Sequence, residues 1–481
     1  SVKPTVSRRR RNRDCNVSEP LVIIGNGMAA ARFVDEMAKR ALGRYAIAVI
    51  GDEPRLAYNR VLLSSVLAGE ATSEEIELKP SAWWRDRGVT LTYGCAANSI
   101  DLGERTIHLA NGGAVPFSKV VIATGSSAIR LNVPGADLPG VHTFRDSRDV
   151  DMLLKLAREK ARVVVVGGGL LGLEAAYGLA KAGSKVTLLH LMDRLMERQL
   201  DAPAAALLKR LVEAKGIEVL LGANTKQIAG EGVVQAVELS DGRVIAAEAV
   251  VFAAGIRPNI ALAKDAGVPV NRGIVVDDQL RTGHGDVFAL GECAEHRGTC
   301  YGLVEPAYEQ ARVLADHLAG RDALYSGSVV STNLKVSGVS VFSAGDFLGE
   351  SGADTLVFND ERRGTYKKLV VADGRLKIGV VHDRIELPLE AYIGAYSVID
   401  EQVFTGLVAR VGRDRTRLTR LLVAYRRACA LDVALVIGAF VGARDSKIMG
   451  LVETIGATSE EVCAQAQTSA AMINDTVEAA A

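Results

Sequence analysis

The sequence predicts an α/β chain with two doubly wound parallel domains, one inserted in the other, then a small α+β domain and a helical C-terminal tail. Three observations carry this prediction. A strand–glycine turn–helix–strand unit occurs twice, over residues 21–53 and 162–190. Short alternating segments separated by polar turns begin at about Ser328. Glycine makes up 48 of 481 residues, above the roughly 7% of average usage, which asks where backbones must approach closely.

Composition narrows the function classes. Lys+Arg and Asp+Glu are 57 each, and this zero net charge removes the electrostatic case for a nucleic-acid binder. Six cysteines without a paired pattern do not make a disulfide scaffold and point to a reducing, cytoplasmic setting. The longest apolar run, 433–443, falls well short of the roughly 20 residues of a spanning helix, so no membrane span is expected. Residues 1–20 form a polar arm with Arg8, Arg9, Arg10, Arg11 and Arg13. Its two readings are a disordered terminus, or an address or docking arm for an acidic partner.

Taken in order, residues 21–24 are an apolar run short enough for a buried parallel strand. The loop GNGMAA follows, then a helix over 29–42 and a strand over 46–50 that ends at Gly51-Asp52-Glu53. The second unit has a strand at 163–166, the loop and helix start GGGLLGLE, a helix through Ala182 and a strand at 185–189. Residues 120–126 and 250–259 each set an apolar strand against Thr-Gly or Ala-Gly. DVFALGE at 286–292 leads into a helix at 305–318 with Pro306 in its first turn. Strands are then expected at 334–336, 339–342, 355–359, 366–371 and 376–381. Turn signals at Gly345-Asp346, Asp360-Glu361 and Asp373-Gly374 separate them, and helices follow beyond Leu387.

The glycine loops carry the chemistry. In the first, Gly25 makes the tight turn, Gly27 clears the path of a pyrophosphate, and Ala30 lets helix meet strand. Met28 and Ala29 open the helix whose N–H groups would face the phosphates, and Asp52 or Glu53 would hold ribose hydroxyls. The second loop supplies Gly167, Gly169 and Gly172, with Leu170 and Leu171 at the helix start. Its strand ends in His190 instead of an acid, with Arg194 and Arg198 downstream. Either these residues accept a 2′-phosphate, or His190 merely ends a strand and the arginines are solvated; the balance leans to NADH, with NADPH open.

Two loops imply two dinucleotides and two Rossmann-like dinucleotide-binding domains. The remaining motifs fit FAD on the first and a nicotinamide on the second. Thr124-Gly125 and Gly255 would be crossing points between domains, Ala123 is a further candidate cofactor-binding residue, and Gly291-Glu292 would bring a carboxylate to the ribityl hydroxyls. The helix opening near Glu305-Pro306 would aim its positive end at the flavin edge where negative charge develops on reduction. The expected division is a disordered arm over 1–20, FAD-binding segments 21–145 and 255–327, and a NAD(P)H-binding insert over 146–254. An antiparallel-sheet interface domain over 328–405 and a helical tail over 406–481 complete it.

Residues 21 to about 405 resemble the pyridine-nucleotide–disulfide oxidoreductase superfamily. More narrowly, they resemble the flavoprotein half of the assimilatory NAD(P)H nitrite reductase large subunit and the nitrate reductase electron-transfer subunit. The resemblance rests on GNGMAA, AYNRVLLSSVLAGE, GGGLLGLEAAYGLAKAG, HLMDRLMERQLD, GECAEHRGTCYGLVEPAYEQA and STNLKVSGVSVFSAGDF. It implies FAD, a nicotinamide donor and a protein electron acceptor. It also implies that Arg60 contacts the FAD pyrophosphate or ribose and that Glu174 lies near the nicotinamide carboxamide.

Departures from the family matter as much. Related ferredoxin reductases carry a lysine after the serine of a Leu-Ser motif, whereas Ser65 follows Ser64 here. No CxxC or CxxxxC flanks either loop, which excludes a redox dithiol, so Cys293, Cys300 and Cys95 read as ordinary thiols. The tail from Ser446 is similar to a small iron–sulfur domain, but Cys429 and Cys463 cannot supply the four thiolates of a cluster, and no metal ligands are expected.

The resemblance implies hydride transfer from NAD(P)H to FAD, then single electrons to an iron–sulfur, sirohaem, molybdenum or tungsten redox protein or subunit. A homodimer stays open. Alternatives are a stand-alone ferredoxin or rubredoxin reductase, an NADH-oxidising subunit of another metalloenzyme, or a non-catalytic flavoprotein scaffold or sensor. The apolar stretch 430–443 reads either as a helix buried on the body or as a surface for a partner.

Overall fold

The computed structural model describes residues 18–328 without a break. Beyond them it describes 331–336, 339–345, 347–349, 354–360, 364–372, 375–376 and 380–383. Contacts divide the chain into two units, Ser1–Val336 and Ser337–Ala481.

The first unit holds two parallel five-stranded sheets. One has the order Val287–Ala289, Lys119–Ile122, Glu19–Ile24, Tyr45–Gly51, Thr90–Tyr93. Its central strand is apolar on both faces because both are covered, and Leu21, Val22, Ile23 and Ile24 are all buried. The helix Met28–Arg40 buries Phe33, Val34 and Met37 and packs against the helix Val304–Leu318. The other sheet has the order Glu218–Leu220, Lys185–Leu189, Arg162–Val166, Ala249–Phe252, Val141–Thr143. Its helix Leu170–Lys181 is rich in small residues, and the buried Gly172, Ala175, Ala176 and Gly178 let it sit close to its neighbours.

Each sheet carries the same appendage. The strands Ala97–Asp101, Thr106–Leu109 and Ala114–Pro116 form an antiparallel meander beside the first, and Thr225–Ala229, Ala236–Leu239 and Val244–Ala246 form one beside the second. Their turns close alike: the Leu109 N–H donates to Gly113 O at 2.8 Å, and the Leu239 N–H donates to Arg243 O at 2.9 Å.

The second unit is antiparallel where described. Val339–Ala344 pairs with Val380–Asp383, which pairs with Thr365–Ala372, which pairs with Asp354–Asp360. The short strand Arg375–Leu376 adds to Thr365–Ala372.

Several boundaries differ from the sequence expectation. The expected arm of residues 1–20 overlaps the first strand, which takes in Glu19 and Pro20 through pairing with Tyr45 and Ala46; residues 1–17 lie outside the described ones. Val141–Thr143, expected in the first nucleotide domain, pairs with Val250–Phe252 of the second sheet, because parallel register reaches further than local pattern. The strand expected at 376–381 is two strands, Arg375–Leu376 and Val380–Asp383. Asp360, read as a turn residue, is the last residue of its strand. The helices expected beyond 387, the tail and its apolar stretch lie outside the described residues.

Candidate functional site

The first glycine loop stands where strand, helix and the crossing strand meet. Gly25 has φ +118, and a Cβ there would lie 2.1 Å from Ala123 O. Only glycine fits that approach. The Gly25 N–H donates to Ile50 O at 2.7 Å and the Ala123 N–H to Ile24 O at 2.8 Å, so the turn is locked to both flanking strands. Gly27 caps the helix without a side-chain bond, and nothing lies within 4 Å of where its Cβ would stand. The helix therefore presents open N–H groups beside a cleared space, which suits an anion.

That space belongs to a cavity of about 580 Å³. Gly25, Gly27, Met28, Ala29, Asp52, Glu53, Arg60, Ala123, Thr124, Gly125, Gly291, Glu292, Leu170, Leu171 and Glu174 all line it. Ala30 is buried beneath it, and Gly291, at φ +81, would clash only mildly through a Cβ 3.1 Å from the Ala29 Cβ. Gly167, Gly169, Gly172, His190, Arg194, Gly255, Glu305 and Pro306 do not line it. The helix Val304–Leu318 does meet the cavity, but through Leu303, Val304 and Ala307; Glu305 turns away to Arg312 at 3.7 Å and Pro306 is buried.

Nearly every charge around the cavity is paired within the chain. Arg60 pairs with Glu53, and Tyr58 Oη donates to Glu53 Oε2 at 2.6 Å. Burial opposes the Arg60 charge, but Tyr58 and Glu53 beside it raise its pKa overall. Arg145 pairs with Glu292, whose Oε2 also accepts from Ser126 Oγ at 2.9 Å. Arg148 bridges Asp146 at 2.8 Å and Asp52 at 3.5 Å. Asp149 accepts from Thr143 Oγ1 at 3.0 Å and from the Arg145 N–H at 2.7 Å; burial raises its pKa. Asp52, Glu53, Arg60 and Glu292 thus come to one cavity, as expected of ligand-holding groups, but each already has a partner.

Glu174 differs. It projects from the second loop's helix at 9% exposure, and no described residue hydrogen-bonds or ion-pairs with it. Burial alone pushes its carboxyl up to about 8.

The crossing points are stapled together. Ser126–Ala128 and Ile256–Pro258 form a two-stranded antiparallel ribbon. Thr124 Oγ1 donates to Asn259 O at 2.9 Å, Asn259 Nδ2 donates to Thr124 O at 2.8 Å, and the Ile129 N–H donates to Gly255 O at 2.9 Å. The polar lining residues missed from sequence include Asn26, Ser126, Thr143, Arg145, Asp146, Arg148, Asp149 and Asn259. Arg145 and Glu292 are 147 positions apart, so no local pattern could have joined them.

The second loop repeats the backbone of the first. Gly167 has φ +129, a Cβ there would lie 2.3 Å from Ala253 O, and its N–H donates to Leu189 O at 2.8 Å. Gly169 is again an uncapped helix start with open space around it, and a Cβ on Gly172 would meet Gly167 O at 1.8 Å. His190 is buried, not turned outward. Its Nδ1 accepts the Gly168 N–H at 3.0 Å, which leaves Nε2 to carry the proton toward Glu197 Oε2 at 3.0 Å. Arg194 is held by Asp193 at 3.2 Å and Leu200 O at 3.4 Å, and Arg198 is largely exposed. His190 and Arg198 thus share Glu197, while Arg194 is engaged elsewhere.

Among the described residues no group of three His, Cys, Asp or Glu could hold a metal ion, and no helix is long and apolar enough to cross a membrane. Cys293 is buried with its Sγ 3.3 Å from Leu290 O, and Cys95 and Cys300 are also free thiols.

Comparison with known proteins gives this arrangement its family. The profile of the pyridine nucleotide-disulphide oxidoreductases matches residues 19–313, that of the rubredoxin NAD+ reductase C-terminal domain matches 331–382, and that of protoglobin matches 363–446, mostly outside the described residues. The chain is 43% identical over 362 residues to a nitrite reductase [NAD(P)H] of Bacillus subtilis, covering 75% of this chain and 45% of that protein. It is 41% identical to the assimilatory nitrate reductase electron transfer subunit of the same organism, covering 74% and 46%. It thus spans less than half the length of these relatives. The ferredoxin reductase for the CYP199A2 system of Rhodopseudomonas palustris is a structural neighbour at 27% identity and TM-score 0.70, covering 76% of this chain and 91% of that one. The chain belongs to the pyridine nucleotide-disulphide oxidoreductase family, and it is an oxidoreductase.

Proposed function

We propose that this family member holds FAD along the Gly25–Gly27 loop and a nicotinamide nucleotide along the Gly167–Gly169 loop, and passes electrons from NAD(P)H to a protein acceptor. The observation that carries this reading is the shared cavity: the first loop and the start of the second loop's helix line one space. The residues present fit FAD. Gly27 leaves a cradle that a Cβ would fill, and the buried Asn26 Oδ1 in the same lining has no partner. When bound, a flavin supplies the exchange between two-electron hydride chemistry and one-electron carriers.

The chain's own residues would bind, orient and shield. The N-terminus of Met28–Arg40 offers N–H groups to a pyrophosphate, with Arg60 as the nearby cation. Asp52 and Glu53 offer carboxylates to ribose hydroxyls, and Glu292, steadied by Arg145 and Ser126, offers one to the ribityl chain. Leu170, Leu171 and Glu174 bound the same cavity at the start of the second loop's helix, where a nicotinamide would be oriented. NADH is preferred over NADPH in this reading, because His190 is committed to Gly168 and Glu197 and leaves a carboxylate, not a cation, at the strand end.

The likeness to the nitrite reductase and to the nitrate reductase electron transfer subunit favours a cytoplasmic electron-transfer subunit that feeds a partner bearing an iron–sulfur, sirohaem, molybdenum or tungsten centre. Stopped-flow mixing with NADH and NADPH tests the first half: the flavin band bleaches within seconds, with NADH the better donor. A yellow protein that stays yellow refutes it. Purification from native cells with metal and sirohaem analysis tests the second half. The match of 331–382 to the rubredoxin reductase C-terminal domain favours a second reading, in which the acceptor is a diffusible rubredoxin or ferredoxin. In that case the reduced protein discharges to rubredoxin without a co-purifying subunit.

A further inference from the structure

Glu174 is the one carboxylate lining the cavity, among the described residues, that has no partner. Glu53 has Arg60 and Tyr58, Glu292 has Arg145 and Ser126, Asp52 and Asp146 share Arg148, and Asp149 has Thr143 and the Arg145 N–H. The elements around the helix Leu170–Lys181 explain the isolation. The helix Leu63–Leu67, packed against it, has the sequence Leu-Ser-Ser-Val-Leu and no titratable group. The helix Ser147–Arg158 carries Arg148, which is committed to Asp146 and Asp52, together with Asp149, Asp151, Lys155 and Arg158, and the strands Arg162–Val166 and Lys185–Leu189 carry Arg162 and Lys185 at their starts. On its own helix, Tyr177 and Lys181 reach out to Glu70. The strand Ser331–Val336 contributes Lys335 by sequence.

A carboxyl in that setting is governed by burial until a charge is brought to it. The reduced nicotinamide ring is uncharged and the oxidised ring is a cation. We propose that Glu174 senses that difference: it is a neutral acid beside the reduced ring and releases its proton to water when the oxidised, cationic ring lies beside it. The inference rests on the reading that a nicotinamide nucleotide binds at this helix. It makes NAD+ binding proton-linked, so affinity for NAD+ rises by up to about tenfold per pH unit below the resting titration of the carboxyl, and flattens above it.

The test is calorimetric titration of the full chain, carrying its flavin, at pH 7 in two buffers of different ionisation enthalpy. NAD+ is one ligand and ADP-ribose, which lacks the charged ring, is the other. Expected is the release of close to one proton with NAD+, none with ADP-ribose, and none with NAD+ in Glu174→Gln. Difference infrared spectra add a second readout: a carboxylic C=O stretch that disappears on adding NAD+ and is missing from Glu174→Gln. NAD+ binding without proton release overturns the inference, as does release that persists in Glu174→Gln or that vanishes in Lys335→Gln. If neither NAD+ nor ADP-ribose binds, the nucleotide reading itself fails, and the inference falls with it.

Discussion

The two glycine loops are built on one backbone and surrounded by different side chains. In each, the first glycine takes a positive φ because a crossing strand's carbonyl leaves no room for a Cβ, at 2.1 Å for Gly25 and 2.3 Å for Gly167. In each, the second glycine caps a helix with no side-chain bond. They diverge at the third small residue and at the strand end. Gly172 must be glycine, since a Cβ would stand 1.8 Å from Gly167 O, whereas the first loop has Ala30. The strand Tyr45–Gly51 leads into Asp52 and Glu53 at a cavity; Lys185–Leu189 leads into His190, turned inward against Gly168. Sterics of the turn are therefore shared, and what each loop can hold is written in the residues around it.

The largest effects should come from the shared sterics. Gly25→Ala and Gly167→Ala each force a left-handed alanine against a carbonyl, and each is expected to cost at least about 3 kcal/mol in chemical denaturation. Tolerance of either would break the equivalence of the loops. Next comes Arg145→Met, which leaves Glu292 without its cation; about 2 kcal/mol is lost and flavin is retained poorly, read by absorbance after gel filtration.

The pH dependence sharpens the contrast at Glu174. Its pKa is raised from 4.5 in the unfolded chain to about 8 in the folded one, so the folded state binds more protons between those values. Stability credited to this group is present in full below pH 4.5 and is lost as pH rises through 8. The difference in unfolding free energy between wild type and Glu174→Gln should change by up to about 1.4 kcal/mol per pH unit across that window. A difference that is flat with pH would contradict the buried, unpartnered setting. The smallest stability effects belong to Gly27→Ala and Gly169→Ala, where open space surrounds the added methyl: under about 1 kcal/mol each. The first should nonetheless weaken flavin binding, and the second nicotinamide binding with the flavin band intact. If each variant impairs both ligands alike, the assignment of one nucleotide per loop fails.

Much of this was legible in the sequence because it is local. Parallel strands buried on both faces read as unbroken apolar runs, and Lys185–Leu189 was placed to the residue. The meanders beside each sheet were not read, since strands such as Ala114–Pro116 and Val244–Ala246 are three residues long and carry no clear alternation. The cavity's loops were found from their glycines, but Arg145, Ser126 and Asn259 were not, because their meaning depends on Glu292 and Thr124, far away along the chain.

Sequence alone determined that the chain makes two glycine turns, each between an apolar strand and a helix, because a turn that tight takes a positive φ at its first residue, where glycine carries no steric cost. Only the tertiary structure decided which charges are already spent on one another, that His190 faces inward, and that Glu174 has no partner among the described residues. Those outcomes depend on distances between residues that the chain brings together from different elements, and spacing along a sequence does not encode such distances.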